Sequence, residues 1–250
     1  MNLGISIVLS LLLGFLARIK KALTIPALLI AIVFSIIITY FGGITAFIIL
    51  VSVFLGSIIT KLFTKKKKHE KRVMIQIIAN VGTSTLAILL YKITSNPTYL
   101  LIYASVMAES LADTLASDIG TLSKKRPINI LTGKTGEKGI SGNISFLGLS
   151  SSLLGSLFIG IIYYLGINHS ITSVAIILLS GFFGSIFDSI LGASIQVKYK
   201  CPVCQKITEK KVHCEKETQY EKGIKFVDNN LVNLLSNLFV FIVLWLILVR

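Results

Sequence analysis

Charged residues are scarce in this chain, and the shortage excludes an ordinary soluble domain. Asp, Glu, Lys and Arg together make up 14% of the 250 residues, whereas 54% are hydrophobic. Soluble domains carry roughly a quarter charged residues. The apolar runs approach the roughly 20 residues that an α-helix needs to cross a bilayer. The composition therefore predicts an all-α, polytopic integral membrane bundle that forms a single transmembrane domain over residues 1–250.

Cysteine is also scarce, and its odd count argues against a disulfide framework. The chain has three cysteines, all in the loop at residues 197–228. Cys201-Pro-Val-Cys204 followed by His213-Cys214 has the ligand types of a Cys₃His zinc knuckle. We predict a structural Zn²⁺ site at these four residues in a cytosolic loop insertion. Two adjacent ligands are awkward to aim at one ion, so reduced thiols are the alternative.

The apolar runs predict eight membrane-spanning helices. The first run is followed by basic residues, whereas a cleaved signal peptide has them in front, so we expect a retained helix. The spans lie at residues 3–17, 23–40, 44–59, 73–91, 99–121, 145–165, 171–192 and 231–249.

Basic residues outnumber acidic ones by 25 to 11, and their positions predict the orientation. Cytoplasmic loops are enriched in Lys and Arg. Four alternate loops, at residues 18–21, 61–72, 124–138 and 198–225, hold 23 of the 25 basic residues. We therefore expect a multi-pass cell-membrane protein with these loops in the cytosol and both termini outside. The net charge of +14 suits a membrane surface or phosphates and requires no nucleic-acid partner.

The fifth predicted span carries three carboxylates, Glu109, Asp113 and Asp118, in an otherwise apolar helix. Such groups cost about 2.5 to 3.5 kcal/mol each at the centre of a membrane helix, so they normally face a polar cavity or a partner. Glu109, Asp113 and Ser117 recur every four residues, whereas Asp118 belongs to the neighbouring stripe. Interhelical hydrogen bonding in a packed bundle is the structural alternative.

The seventh span repeats small and polar residues on one face. Gly184, Asp188, Gly192 and Gln196 recur every four residues, and Ser185 lies beside them. Mg²⁺ bound to nucleotide phosphates uses one or two carboxylates together with phosphate oxygens and water. We predict that Asp113, Asp118 and Asp188 share one cytosolic depth, hold Mg²⁺ and are catalytic.

A glycine loop, residues 131–145, has glycine at positions 133, 136, 139 and 142. Such a run can present backbone N–H groups to phosphate, with Lys134 and Lys138 adding positive charge. A nucleotide-binding P-loop is excluded because Ile128 stands where that motif needs glycine. A plain flexible turn is the alternative.

Two further polar stripes start at the same predicted face, one in the fourth span and one in the last. Asn side chains satisfied by neighbouring helices are the alternative interpretation of the last stripe. The full predicted substrate- and nucleotide-binding set is Arg72, Gln76, Asn80, Glu109, Ser117, Lys134, Lys138, Gly139, Ser141, Gly142, Asn143, Ser185, Gln196, Asp228, Asn229 and Asn233.

These motifs together resemble domain-of-unknown-function family ninety-two, which includes a plant phytyl phosphate kinase of the vitamin E pathway. The matching motifs are Arg72-x₃-Gln-x₃-Asn80, Ala108-Glu-x-Leu-Ala-Asp-Thr-x-Ala-Ser-Asp-Ile-Gly120, Gly181-x₂-Gly-Ser-x₂-Asp-Ser-x-Leu-Gly-Ala-x₂-Gln196, His213-Cys214 and Asp228-Asn-x₂-Val-Asn233. The chain departs from the family in the glycine loop, where related sequences read more like Pro-Pro-Gly-Thr-x-Gly-Gly.

The resemblance implies transfer of a nucleotide γ-phosphoryl group, with CTP the favoured donor, to a prenyl or phytyl monophosphate, which becomes the diphosphate. An amphiphilic acceptor of this kind would keep its tail in the membrane and its phosphate at the cytosolic face. Two alternatives remain: another lipid phospho- or nucleotidyltransferase, and an ion- or proton-coupled transporter in which Glu109 is the most central acid. A homo-oligomer is compatible with the sequence.

Overall fold

Seven α-helices form the bundle in the computed structural model, which describes residues 2–20, 22–64 and 72–249. They are α1 (Leu3–Ile19), α2 (Ile25–Phe63), α3 (Met74–Thr94), α4 (Thr98–Ile119), α5 (Phe146–Gly166), α6 (Ile171–Ser194) and α7 (Asn229–Leu248). Among the described residues, six helices are long and apolar enough to cross a membrane, and α1 is shorter with 17 residues. The predicted polytopic helical membrane architecture is confirmed, but the count of eight spans is not. Most of the second predicted basic loop, residues 65–71, lies outside the described residues.

The 39-residue α2 folds back on itself at Gly43, which has φ 80° and ψ −174°. Only glycine adopts this backbone conformation without strain. Just past the break, the carbonyl of Ala46 accepts from the Tyr103 hydroxyl (2.7 Å), near the start of α4. Near the end of α2, Thr60 donates to Asp118 (2.7 Å), at the other end of α4. Because the backbone before α2 pairs with that before α3, α2 begins and ends at the same end of the bundle.

The bundle has two different ends. At the turn end, residues 95–97 join α3 to α4 and residues 167–170 join α5 to α6. The loop end carries two longer segments, residues 120–145 and 195–228. The indole N–H of Trp245, near the end of α7, donates to the Tyr99 hydroxyl (3.3 Å) at the start of α4, so α7 finishes at the turn end.

Helix α4 is the centre of the bundle, and every residue from Tyr99 to Ala112 is buried. It packs against α2, α3, α5, α6 and α7. Small side chains at Ala104 and Ala108 let these helices approach closely. The outer helices expose large apolar side chains such as Phe15, Leu154 and Ile247, as lipid-facing helices do.

The two loop-end segments contain short β-strands. Within residues 120–145, β1 (Ile128–Asn129) pairs antiparallel with β2 (Asn143–Ile144) and closes the glycine loop. Residues 198–222 form what we call the β ribbon, a three-stranded sheet in the order β4-β3-β7 and a separate β5-β6 hairpin. Its strands are β3 (Lys198–Lys200), β4 (Ile207–Thr208), β5 (Val212–His213), β6 (Lys216–Glu217) and β7 (Gln219–Lys222).

Candidate functional site

A polar cavity of about 410 Å³ lies at the loop end, between α4, α5, α6 and the glycine loop. The β ribbon and the start of α7 each add one residue to its wall. The predicted site residues that line it are Asp113, Ser117, Lys138, Gly139, Ser141, Gly142, Asn143, Ser185, Asp188 and Asn229. The structure therefore brings together residues that lie more than 100 positions apart in the sequence.

The glycine loop rests directly on the backbone of α6. Gly142 has φ 84°, and a side chain at this position would lie 2.5 Å from Ala193 Cα. From the other side, a side chain at Gly192 would lie 2.8 Å from Ser141 Cβ. Both glycines are therefore required by close backbone approach. This contact holds Ser141 and Gly142 against the cavity.

The β ribbon bonds both backbone polar groups of Ser141. Its N–H donates to Glu209 Oε1 (2.7 Å), and its carbonyl accepts from Lys198 Nζ (2.7 Å). Burial lowers the pKa of Lys198 to about 8, with Lys222 adding to the effect and Glu209 opposing it. Glu209 itself lines the cavity. Sequence analysis missed Glu209 and Lys198 because the Lys-rich loop that carries them has no periodicity pointing to a partner.

The cavity wall holds two aspartates, Asp113 and Asp188, whose charged neighbours are also carboxylates. Asp118 and Glu209 lie near Asp113, while Asp113, Glu109 and Glu209 lie near Asp188. Within the described ranges, no Lys or Arg forms an ion pair with Asp113, Asp188 or Glu109. Asp188 is only 4% exposed, so water does little to compensate its charge. Such an arrangement has the donor chemistry of a cation site.

Below the cavity, Glu109 and Asp188 compete for one hydrogen-bond donor. The Ser236 hydroxyl lies 2.7 Å from Glu109 Oε1 and 3.3 Å from Asp188 Oδ2. A hydroxyl has a single proton to donate. Gly184 makes room for Glu109, because a side chain there would lie 2.6 Å from Glu109 Cγ. The Ser110 hydroxyl also lies 3.5 Å from Glu109 Oε2, but these neutral donors leave the carboxylate charge uncompensated. A bound cation or a proton would compensate it.

The structure does not place Asp118 in the cavity wall. Asp118 follows Asp113 by five residues, so the two side chains point about 140° apart around the helix. Asp118 Oδ2 accepts from Thr60 Oγ1 of α2 (2.7 Å). The prediction that three aspartates share one ion needs this correction, because helical rotation turns Asp118 toward α2.

Arg72 also lies outside the polar cavity. It lines a smaller apolar cavity of about 70 Å³ between α1, α2 and α3. Burial lowers the pKa of Arg72, and the charge of the nearby Asp118 opposes the shift. The guanidinium is therefore close to α4 on the side that Asp118 occupies.

Four other predicted residues lie outside the cavity wall, and two of them have structural roles. The Gln76 side chain accepts from Val73 N–H (3.0 Å) at the start of α3, and Asp228 caps α7 by accepting from Leu231 N–H (3.0 Å). Gln196 is buried, and within the described residues its Oε1 has no hydrogen-bond partner. Lys134 is exposed on the glycine loop. None of these predicted residues is part of the cavity wall.

The two remaining asparagines connect the cavity to α3. The Asn233 amide lies between Asn80 and Asp188. In one orientation its Nδ2 donates to Asn80 Oδ1 (3.0 Å), and in the other it donates to Asp188 Oδ2 (3.2 Å) and the Asn229 carbonyl (2.8 Å). Asn80 donates to the Gln76 carbonyl (2.9 Å). Asn233 therefore supports Asp188 from α7 without lining the cavity itself.

The predicted Cys and His residues of the β ribbon do come together. The ligand atoms of Cys201, Cys204, His213 and Cys214 all lie within 4.8 Å of one another. The difficulty of using two adjacent ligands is resolved by the backbone, since Cys214 has a left-handed φ of 51°. The chain can therefore turn both side chains toward one point.

Comparison with known proteins places the chain in a family. An uncharacterized membrane protein of Methanocaldococcus jannaschii is 29% identical over 203 residues, covering 79% of this chain and 84% of that protein. Protein PGR of Arabidopsis thaliana is 32% identical over 135 residues, covering 50% of this chain and 46% of that protein. No solved structure matches. A family model described as integral membrane protein DUF92 matches residues 8–241, so the resemblance found in the sequence is confirmed and the chain belongs to the DUF92 family of integral membrane proteins.

Proposed function

We propose that this protein is a Mg²⁺-dependent kinase of prenyl or phytyl monophosphates. The observation that carries the proposal is the polar cavity at the loop end, where Asp113, Asp188 and Glu209 face a glycine loop without a basic partner for the two aspartates. An oxygen of the lipid phosphate attacks the γ-phosphorus of the nucleotide, the bond to the bridging oxygen breaks, and the nucleoside diphosphate leaves. The lipid phosphate is already ionised, so the reaction needs positioning and charge neutralisation more than a general base.

The cavity residues divide into a metal-facing group and a phosphate-facing group. Asp113 and Asp188 would hold Mg²⁺, with Glu209 at the rim, and the ion would neutralise charge that develops on the transferred group. Lys138, Gly139 and Gly142 line the same cavity, and an ammonium group and backbone N–H groups would suit phosphate oxygens. Asn233 holds Asp188 in position from α7.

The acceptor lipid would approach from the bilayer. A prenyl phosphate joins a long apolar tail to a dianionic head, so its phosphate stays near the membrane surface. Arg72 lies at the loop end, next to an apolar cavity between α1, α2 and α3 and close to Asp118. Because Arg72 lies outside the cavity that would hold the donor phosphates, we assign it to binding the lipid phosphate before transfer, since Arg binds phosphate oxygens bidentately. Other lipid phospho- or nucleotidyltransfer chemistry would use the same residues.

The decisive experiment is label transfer by the purified protein in lipid nanodiscs. With γ-labelled CTP, Mg²⁺ and phytyl or geranylgeranyl monophosphate, we expect labelled prenyl diphosphate, and EDTA should abolish its formation. ATP, GTP and UTP tested in parallel identify the donor. Label found in another lipid product would indicate the alternative transferase. Absence of transfer from all four nucleotides, together with Glu109-dependent ion flux in liposomes, would exclude a kinase and favour a transporter.

The proposed site requires the loop end to face the cytosol, as the basic loops predict. We expect Thr94→Cys and Asn168→Cys, both at the turn end, to react with an impermeant maleimide on intact cells. Lys124→Cys at the loop end should add labelling beyond that of the parent chain only after the cells are opened. The parent chain is the control: its three cysteines lie at the loop end, so intact cells should leave it unlabelled. The opposite labelling pattern would place the cavity on the wrong side for cytosolic nucleotide.

A further inference from the structure

The two turns of the β ribbon have the geometry of a tetrahedral metal site. Cys201 and Cys204 lie between β3 and β4, while His213 ends β5 and Cys214 begins the turn to β6. His213 Nδ1 is 3.6 Å from Cys204 Sγ and 3.3 Å from Cys214 Sγ. Zinc bonds of about 2.3 Å to sulfur and 2.0 to 2.1 Å to nitrogen, at tetrahedral angles, separate such atoms by about 3.6 Å. The side chains are therefore already arranged as one ligand set.

The backbone of both turns is shaped to aim these ligands inward. Of the four non-glycine residues with positive φ in the described part of the chain, three lie here: Gln205 (60°), Cys214 (51°) and Glu215 (62°). Residues other than glycine seldom adopt this conformation unless their surroundings impose it. All three cysteines are free thiols, so no disulfide accounts for the arrangement.

The β ribbon has very little apolar core of its own. Within residues 198–222, the buried side chains are those of Lys198, Cys201 and Thr208. A unit of this size does not hold its shape by burial of apolar surface alone, and small modules of this kind normally use a metal or disulfides. A metal at the ribbon turns would supply the missing stabilisation.

We propose that Cys201, Cys204, His213 and Cys214 bind one structural Zn²⁺, and that this ion positions Glu209 and Lys198 over the glycine loop. All four ligand positions are filled by the protein, so the site leaves no open coordination position for chemistry. Glu209 follows β4 directly and Lys198 begins β3, so the ribbon turn that carries Cys201 and Cys204 joins the strands next to both residues. Since these two side chains hold the N–H and the carbonyl of Ser141, the ribbon determines where the glycine loop sits.

Zinc content tests the metal site without any assay of activity. We expect about one zinc per chain in protein purified without chelators, as a closed four-ligand site requires. Cys204→Ser and His213→Ala should lose the metal. His213→Cys should retain it, because four thiolates also bind zinc, and Val203→Ala between the two cysteines should be unaffected. Wild-type protein that lacks zinc and does not take it up, or that carries another metal, overturns the proposal.

Two further measurements test the positioning role. Zinc-free variants should be cut by trypsin within the β ribbon, while the wild type and Val203→Ala resist cleavage. The expected effect on turnover rests on the proposed kinase function. Zinc loss should lower turnover by about tenfold or more, as loss of groups that hold the site residues in position does. The His213→Cys variant should restore both protection and turnover. Full zinc content with no label transfer would refute the kinase and leave the zinc site intact. If zinc is lost and the β ribbon still resists trypsin, the ion does not position Glu209 and Lys198.

Discussion

Replacing Asp188 by Asn is expected to lower phosphoryl transfer by at least about 100-fold, equivalent to about 2.7 kcal/mol of transition-state stabilisation. Asn keeps the shape of the side chain but removes the charge that would hold Mg²⁺ against the nucleotide. Asp113→Asn should have an effect of the same order, because Asp113 lines the same cavity. Raising the Mg²⁺ concentration should partly rescue the weaker of the two variants.

Stability measurements separate loss of chemistry from loss of fold. Asp188 is buried, its charged neighbours are acidic, and it shares a single donor hydroxyl with Glu109. Removing one of these charges relieves repulsion, so the free energy of unfolding of metal-free Asp188→Asn should equal or exceed that of the wild type. Functional sites commonly carry destabilising charge of this kind. A variant that loses activity because it unfolds would show the opposite change.

Asp118 and Glu109 provide the matched controls. Asp118→Asn removes a carboxylate that faces Thr60 outside the cavity, and Glu109→Gln changes one that lies beneath it. Both should reduce turnover by less than about tenfold, since neither side chain would touch the ion directly. The metal assignment fails if Asp118→Asn is as damaging as Asp188→Asn, or if both cavity variants keep near wild-type label transfer.

The polar stripes in the helices predict many residues of the polar cavity. A carboxylate is costly to bury in a membrane helix, so its presence there indicates a polar cavity or a partner. Spacing of i+4 correctly indicated that Asp188 and the glycines of α6 share one face, and the structure places Gly184 against Glu109 and Gly192 against Ser141. Spacing could not reveal which neighbour each stripe would meet. Shared depth groups Asp118 with the other aspartates, but its place on the neighbouring stripe turns its side chain toward α2.

The β ribbon was the part least accessible to sequence reasoning. Its ligand types predicted a metal site, but nothing in the sequence indicated that Glu209 would reach Ser141, 68 residues away. The strands of the ribbon are two to four residues long, too short for a pattern of alternation. Such contacts arise from tertiary packing.

The sequence predicts the break in α2 more directly, because Gly42-Gly43 interrupts an otherwise continuous apolar stretch.

The glycine loop offers a prediction that separates backbone strain from contact with α6. Gly142 and Gly133 both have positive φ, 84° and 66°, so Ala at either position carries a conformational cost of about 1 to 2 kcal/mol. A side chain at position 142 would also lie 2.5 Å from the Cα of Ala193, whereas one at position 133 would meet no atom within 4 Å. The two substitutions therefore differ in one physical respect.

Gly142→Ala is expected to push the glycine loop away from α6 and to reduce label transfer by about 100-fold, the usual effect of displacing catalytic groups by about 1 Å. The backbone of Ala193 cannot yield because it belongs to α6, so the loop must move and take Ser141 with it. Gly133→Ala should stay within about threefold of the wild type, since its exposed turn meets nothing. Equal losses in the two variants would show that backbone conformation alone matters. No loss in Gly142→Ala would mean that the loop does not need its place on α6 for catalysis.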